Sequence, residues 1–166
     1  MGLLSFIKEA GEKLFGKGEA KAATAAAESA PTPENIAALS KAAGDAIADY
    51  VRAQGLQVDG LDVAFDAPSA TVTVSGVVAD QATKEKVVLC CGNVERVAAV
   101  NDMLTVSSPQ PESQWHTVVS GDNLSKIAKK FYGDPNKYPV IFEANKPMLK
   151  HPDKIYPGQL LRIPPL

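Results

Sequence analysis

Aromatic residues are scarce in this 166-residue chain, at 6% of positions, so any core must be small and built on Val, Leu, Ile and Ala. An excess of basic charge is also missing. Seventeen Lys and Arg stand against nineteen Asp and Glu, for a net charge of -2, which leaves nothing to neutralise a phosphate backbone and argues against a nucleic-acid partner. No apolar run approaches the roughly 20 residues that span a bilayer, so no membrane partner is expected. Cysteine is confined to the neighbours Cys90 and Cys91. Adjacent positions on a helix point in different directions, so a mutual disulfide is geometrically poor, and the pair reads as core thiols of a reducing compartment. A metal site built on them would need His116 and His151, and no compact Cys/His spacing supports one. The opening Met1–Ile7 is followed by the mixed charges Lys8, Glu9, Glu12 and Lys13, without the cationic start and long apolar run of a signal peptide. Phe6 stands where a myristoylation motif carries Ser or Thr. The expected location is therefore the cytoplasm.

What is present divides the chain into segments. Leu3, Leu4, Ile7, Leu14 and Phe15 fall near one face of a helix over 3–15. Its polar face is charge-balanced, which favours docking on the protein itself over a membrane surface. Residues 16–33, rich in Gly, Ala, Ser, Thr and Pro, read as a linker whose helicity is open. Ile36, Leu39, Ala43, Ile47, Tyr50 and Val51 recur at helical spacing over 34–54, with Thr32 or Pro33 at the start and Gly55 at the end. The period then becomes two. Leu61, Val63 and Phe65, then Val72, Val74, Gly76 and Val78, alternate with polar or small residues around an Ala67-Pro68-Ser69 turn, the signature of a β-hairpin with one buried face. A helix over about 80–91 follows, capped by Asp80 and closed by Gly92-Asn93. A third strand over about 97–106 carries Val97, Val100, Leu104 and Val106. Residues 107–114 hold two prolines and no apolar residue, the clearest boundary in the chain.

Beyond it, Thr117-Val118-Val119 reads as a short strand. Asp122 is placed to cap a helix bearing Leu124, Ile127, Ala128 and Phe131. Asp134-Pro135 reads as the N-cap and first residue of a second helix running to Asn145, with Pro139 perturbing its early part. Tyr156-Pro157-Gly158-Gln159 fits a type II turn before a closing strand, Leu160 to Ile163.

Trp115-His116-Thr117-Val118, Ser120-Gly121-Asp122-Asn123-Leu124, Ile127-Ala128, Tyr132-Gly133, Ile141–Asn145 and Ile155–Pro164 together resemble the LysM family over 115–164, which implies a LysM domain at 115–166. The two alternating strands, the helix and Val97–Leu104 resemble a BON domain over 34–106, with Arg96 where such domains often carry Gly. The entire chain resembles a bacterial cytoplasmic potassium-binding family that joins BON to LysM, through Met1–Lys8, Ala10–Leu14, Gly92-Asn93-Val94 and Phe142–Lys150. The implied fold class is α+β: a small α-β-β-α-β BON domain with a docked N-terminal helix, and a β-α-α-β LysM domain.

That resemblance implies a non-enzymatic, monomeric potassium sensor or buffer. Its K+ is held by backbone carbonyls, with Ile7 and Ala10 contributed by the N-terminal helix and Gly92, Val94 and Val97 by the turn after the BON helix. A large monovalent cation can exchange its water shell for neutral carbonyl dipoles, and helix C-termini supply such dipoles. Gly92 is free to adopt a backbone conformation closed to other residues, while Arg96 adds a cation nearby. The alternative implied by LysM is binding of peptidoglycan or another N-acetylglucosamine glycan, or of a protein. Its groove would hold Gly121, Asp122, Asn123, Leu124, Asn145, Met148 and Ile155. A hydrolase built on Ser120, Asp122 and His116 lacks the Gly-x-Ser-x-Gly elbow.

Overall fold

The computed structural model describes residues 2–5, 18–94 and 96–166. A four-stranded sheet has the order β1-β4-β3-β2, from β1 (Gly2–Ser5), β2 (Asp59–Asp66), β3 (Thr71–Asp80) and β4 (Ala99–Ser108). β2 and β3 form the expected antiparallel hairpin. β3 and β4 run parallel, from Thr71 opposite Ala99 to Asp80 opposite Ser108, so the chain must cross over between them, and α3 (Gln81–Gly92) is that crossover.

The N-terminal helix expected over 3–15 is not what forms at its start. Gly2–Ser5 pair antiparallel with β4, Leu3 opposite Asn101 and Leu4 opposite Val100. A free ladder of backbone groups along β4 outweighs a helix too short to be stable alone. The remainder of that expected helix lies outside the described residues. The stretch read as a linker is helical over α1 (Gly18–Ser29). Alanine-rich sequence has high helical propensity, and this helix packs on α2 (Pro33–Ala53), burying Thr24. The Asn35 side chain reaches back to donate to the carbonyls of Ala26 and Ala30, at 3.3 and 2.8 Å, occupying acceptors at the end of α1.

Thr32 accepts from the Asn35 N–H as N-cap of α2, Pro33 follows it, and Gly55 closes the helix with φ +76°. α2 and α3 lie against the sheet, enclosing Ile47, Val51, Val72, Val74, Val87, Val88, Cys90, Cys91, Val100 and Leu104. Fully burying an Ile or Val side chain contributes about 1.5–3 kcal/mol each. Gly44 permits the close approach of α2 to the sheet, since a Cβ there would lie 2.8 Å from the Val63 carbonyl oxygen.

The second core belongs to residues 114–163. β5 (Gln114–Thr117) and β6 (Leu160–Ile163) pair antiparallel. α4 (Leu124–Tyr132), a 3-10 turn at Pro135–Lys137 and α5 (Tyr138–Ala144) lie between them in sequence. The β-α-α-β order is the expected one. Leu124, Ile127, Ala128, Ile141, Leu149, Leu161 and Ile163 fill this core. Pro139 sits in the first turn of α5, where no intrahelical N–H bond is lost, so the second helix starts as a 3-10 turn capped by Asp134. Gly158 has φ +91° and Gln159 N–H donates to Tyr156 O at 3.1 Å, as a type II turn requires. The cap of α4 is Asn123 rather than Asp122: its Oδ1 accepts from the Lys126 N–H at 2.8 Å. No helix among the described residues is long and apolar enough to cross a membrane.

Candidate functional site

Three of the five residues expected at an ion site lie together on the turn between α3 and β4, and Gly92, Val94 and Val97 are all buried there. Ile7 and Ala10 lie outside the described residues. The turn is built from the end of α3. Asn93 is its C-cap, with φ -85° and ψ 10°, and donates its N–H to Leu89 O at 3.0 Å. Val97 N–H donates to Val94 O at 3.2 Å, and Ala98 N–H to Ala70 O at 2.8 Å, which ties the turn to the β2–β3 hairpin. A carbonyl oxygen has two lone pairs, so an accepted hydrogen bond leaves room for a cation. Among the described residues, no three His, Cys, Asp or Glu side chains gather to hold a metal.

Two details correct the expectation. Gly92 is the last residue of α3 and has no positive φ; the left-handed residue of the turn is Arg96, at φ +78°. Glycine is the residue that takes such a conformation at least cost, so the Gly-to-Arg departure falls at the strained position. The Arg96 charge is also directed away, pairing with Glu28 of α1 at 2.9 Å on the exposed surface.

Cys90 and Cys91 are buried free thiols beside this turn. Burial first, then neighbouring negative charge, pushes Cys91 up to about 12 and Cys90 upward as well. Both are therefore protonated, inert core residues at neutral pH.

The expected glycan set is scattered between surface and core. Gly121 and Asn123 are exposed, whereas Leu124 and Asn145 are buried at 2% exposure. The Asn145 amide is consumed by the fold: Nδ2 donates to Ile141 O and Arg162 O, and Oδ1 accepts from Arg162 N–H. Asp122 closes its own turn, accepting from Val119 N–H at 3.0 Å and meeting His116 Nε2 at 2.8 Å. Burial raises the Asp122 carboxyl, but those hydrogen bonds outweigh it and hold it below its usual range. Met148 packs against the first core and Ile155 against the second.

Sequence reasoning missed the polar seam joining the two cores. Glu85 of α3 and Arg162 of β6 form an ion pair at 2.9 Å, with the residues 3% and 7% exposed. The second Glu85 oxygen accepts from Gln81 Nε2 and Ser113 N–H, both at 3.1 Å. The guanidinium also donates to Ala144 O and Ser113 Oγ. Burial pushes the Glu85 carboxyl up, but the hydrogen bonds from Ser113 and Arg162 outweigh it and leave it lowered. Ser113, within the expected linker, is thus a buried member of the seam. The legible signal was Arg162 itself, a charge inside the apolar strand Leu160–Ile163. Asn93 lies at the other end of α3, bonded to β6 through Leu160, and lines a cleft of about 230 Å³ with Tyr50, Leu89, Met148, Tyr156 and Gln159.

Comparison with known proteins gives a consistent result. Residues 116–164 match the LysM domain family. A protein of Escherichia coli O6:H1, the potassium binding protein Kbp, is 43% identical over 164 residues, covering 99% of each chain. An uncharacterized protein of Deinococcus radiodurans is 51% identical over 49 residues, 30% of this chain and 19% of that one. An esterase of Mycobacterium tuberculosis is 43% identical over 53 residues, only 11% of its length, so this likeness concerns one short segment. With the two cores, the α3–β4 turn and the seam covered end to end by a relative at that identity, the chain belongs to the Kbp family, and its C-terminal part is a LysM domain.

Proposed function

We propose that this protein binds K+ as a cytoplasmic sensor or buffer and catalyses no reaction. The observation carrying this reading is the 43% identity over 99% of both chains to a potassium binding protein. The turn after α3 supports it: three buried residues there, Gly92, Val94 and Val97, offer main-chain oxygens at the negative end of a helix. Ile7 and Ala10 complete the ligand set, and residues 34–106 take the role of the BON domain. A cation held between Ile7, Ala10 and this turn would tie the segment that follows β1 to the end of α3. Because it binds only the native arrangement, it would stabilise and compact the molecule. Calorimetric titration with potassium, sodium and rubidium tests the reading. Heat from potassium with none from sodium is the expected outcome, and equal responses to the two would sink it.

Glycan binding through the LysM domain has less support, since Leu124 and Asn145 are buried and Met148 is packed against the first core. Chitooligosaccharide-induced NMR shifts confined to the loops at Gly121–Asn123 and Met148–Ile155 would promote it.

A further inference from the structure

We propose that Asn93 is the positioning residue that couples ion occupancy of the 92–97 turn to docking of the LysM domain, an inference that rests on the potassium reading above. Asn93 stands between Gly92 and Val94, two of the residues whose carbonyls that reading assigns to the ion. Its φ of -85° and ψ of 10° lie in the sparsely allowed bridge region. Those two dihedrals, together with the pair at Val94, set the relative aim of the flanking carbonyls, because the Gly92 carbonyl belongs to the peptide plane before Asn93 and the Val94 carbonyl to the plane after Val94.

The main chain of Asn93 is held by α3 through Leu89 O. Its side chain, however, belongs to the other domain. Nδ2 donates to Leu160 O at 3.0 Å, and Leu160 N–H donates to Oδ1 at 3.1 Å. This is the two-bond exchange that antiparallel strands make across a hydrogen-bonded pair, made here by one amide side chain against β6. Both bonds end on the backbone of a single residue, so the side chain is fixed in position and orientation. Two residues along β6, Arg162 is bonded to Glu85 on the same α3. The eight residue steps from Glu85 to Asn93 span about 12 Å along the helix axis, so β6 is fastened to α3 at two separated points. Undocking β6 removes the clamp and releases Asn93 to leave the bridge region. An ion that requires the clamped conformation must then favour docking, and docking must favour the ion by the same factor.

The test measures potassium affinity by calorimetry, and compactness by small-angle scattering, on the full chain and on Asn93→Ala. The expected result is an affinity weakened about 5-fold or more with an expanded molecule in potassium. Asn93→Asp keeps the acceptor for the Leu160 N–H and loses the donor, so it falls between the two and serves if the alanine variant fails to fold. A background that opposes docking separates coupling from a local effect on the turn. In Arg162→Glu, which faces Glu85 with like charge, adding Asn93→Ala should change affinity by less than about 2-fold. Unmodified protein that takes up no potassium would remove the underlying reading, and this coupling with it, through a measurement in which Asn93 is untouched. Potassium binding by the unmodified chain, with an undiminished affinity in Asn93→Ala, would overturn the coupling alone. So would an equal loss in the docked and Arg162→Glu backgrounds.

Discussion

α3 and α4 are helices of the same chain with opposite patterns of burial. α4 has a single apolar stripe, Leu124, Ile127 and Ala128, with Lys126, Lys129 and Lys130 directed elsewhere, as a helix covering one small core should. α3 has no such division: Gln81, Glu85, Val87, Val88, Leu89, Cys90, Cys91 and Gly92 are all buried. It packs on the sheet through Val87, Val88 and Cys91 and meets β6 of the LysM domain with Glu85 and, past its end, Asn93. A helix buried all round is a helix between two bodies. Polar residues on its second face are there because each has a partner, and among the described residues no buried side-chain nitrogen or oxygen lacks one.

The contrast can be broken most forcefully at the ion pair. Arg162→Met leaves Glu85 buried without its cation and should cost about 3–5 kcal/mol in chemical denaturation. The double variant Glu85→Leu/Arg162→Met should recover most of that loss, because the charge that needs a partner is gone. A smaller loss, about 1–3 kcal/mol, is expected for Gly44→Ala, whose methyl group meets the Val63 carbonyl. Amide exchange should then show faster opening in the sheet domain, with α4 unaffected.

Acid offers a reversible version of the first experiment. The folded-state pKa of Glu85 is depressed, so its contribution is complete above the ordinary glutamate value of about 4.3 and is lost as pH falls through the lower folded value. Docking followed by scattering should therefore persist from neutrality to about pH 5 and loosen only below the ordinary range. The smallest effect is expected at Arg96→Gly. Glycine relieves the left-handed conformation while an exposed ion pair to Glu28 is lost, for a net gain of up to about 1 kcal/mol in thermal stability.

Much of the local architecture was legible because its causes are local. Thr32 and Asp80 cap helices where short polar side chains precede apolar periodicity. The β2–β3 hairpin follows from period-two alternation, and the turn at Tyr156–Gln159 from Pro and Gly at its centre. Misreadings occurred where a competing partner, near or distant in the chain, decided the outcome. Gly2–Ser5 pair with β4, about 100 residues away in the chain. Asn123 rather than Asp122 caps α4, because Asp122 is held by Val119 and His116. Gly92-Asn93 read as a simple helix end, although the Asn93 amide bonds Leu160, and the polar stretch 107–114 gave no sign that Ser113 would be buried against Glu85 and Arg162.

By itself, then, the sequence determined the kinds and order of elements over most of the chain, the LysM pattern at its end and the turn where main-chain oxygens accompany a helix terminus. These depend on dihedral preferences, side-chain periodicity and capping, which act over a few residues. Only the tertiary structure decided that α3 is shared between two domains, that Glu85 and Arg162 neutralise one another out of water, and that Asn93 holds the backbone of β6. A hydrogen bond or ion pair between residues 67 or 77 positions apart leaves no periodicity in the chain, because its geometry exists only once both cores have packed.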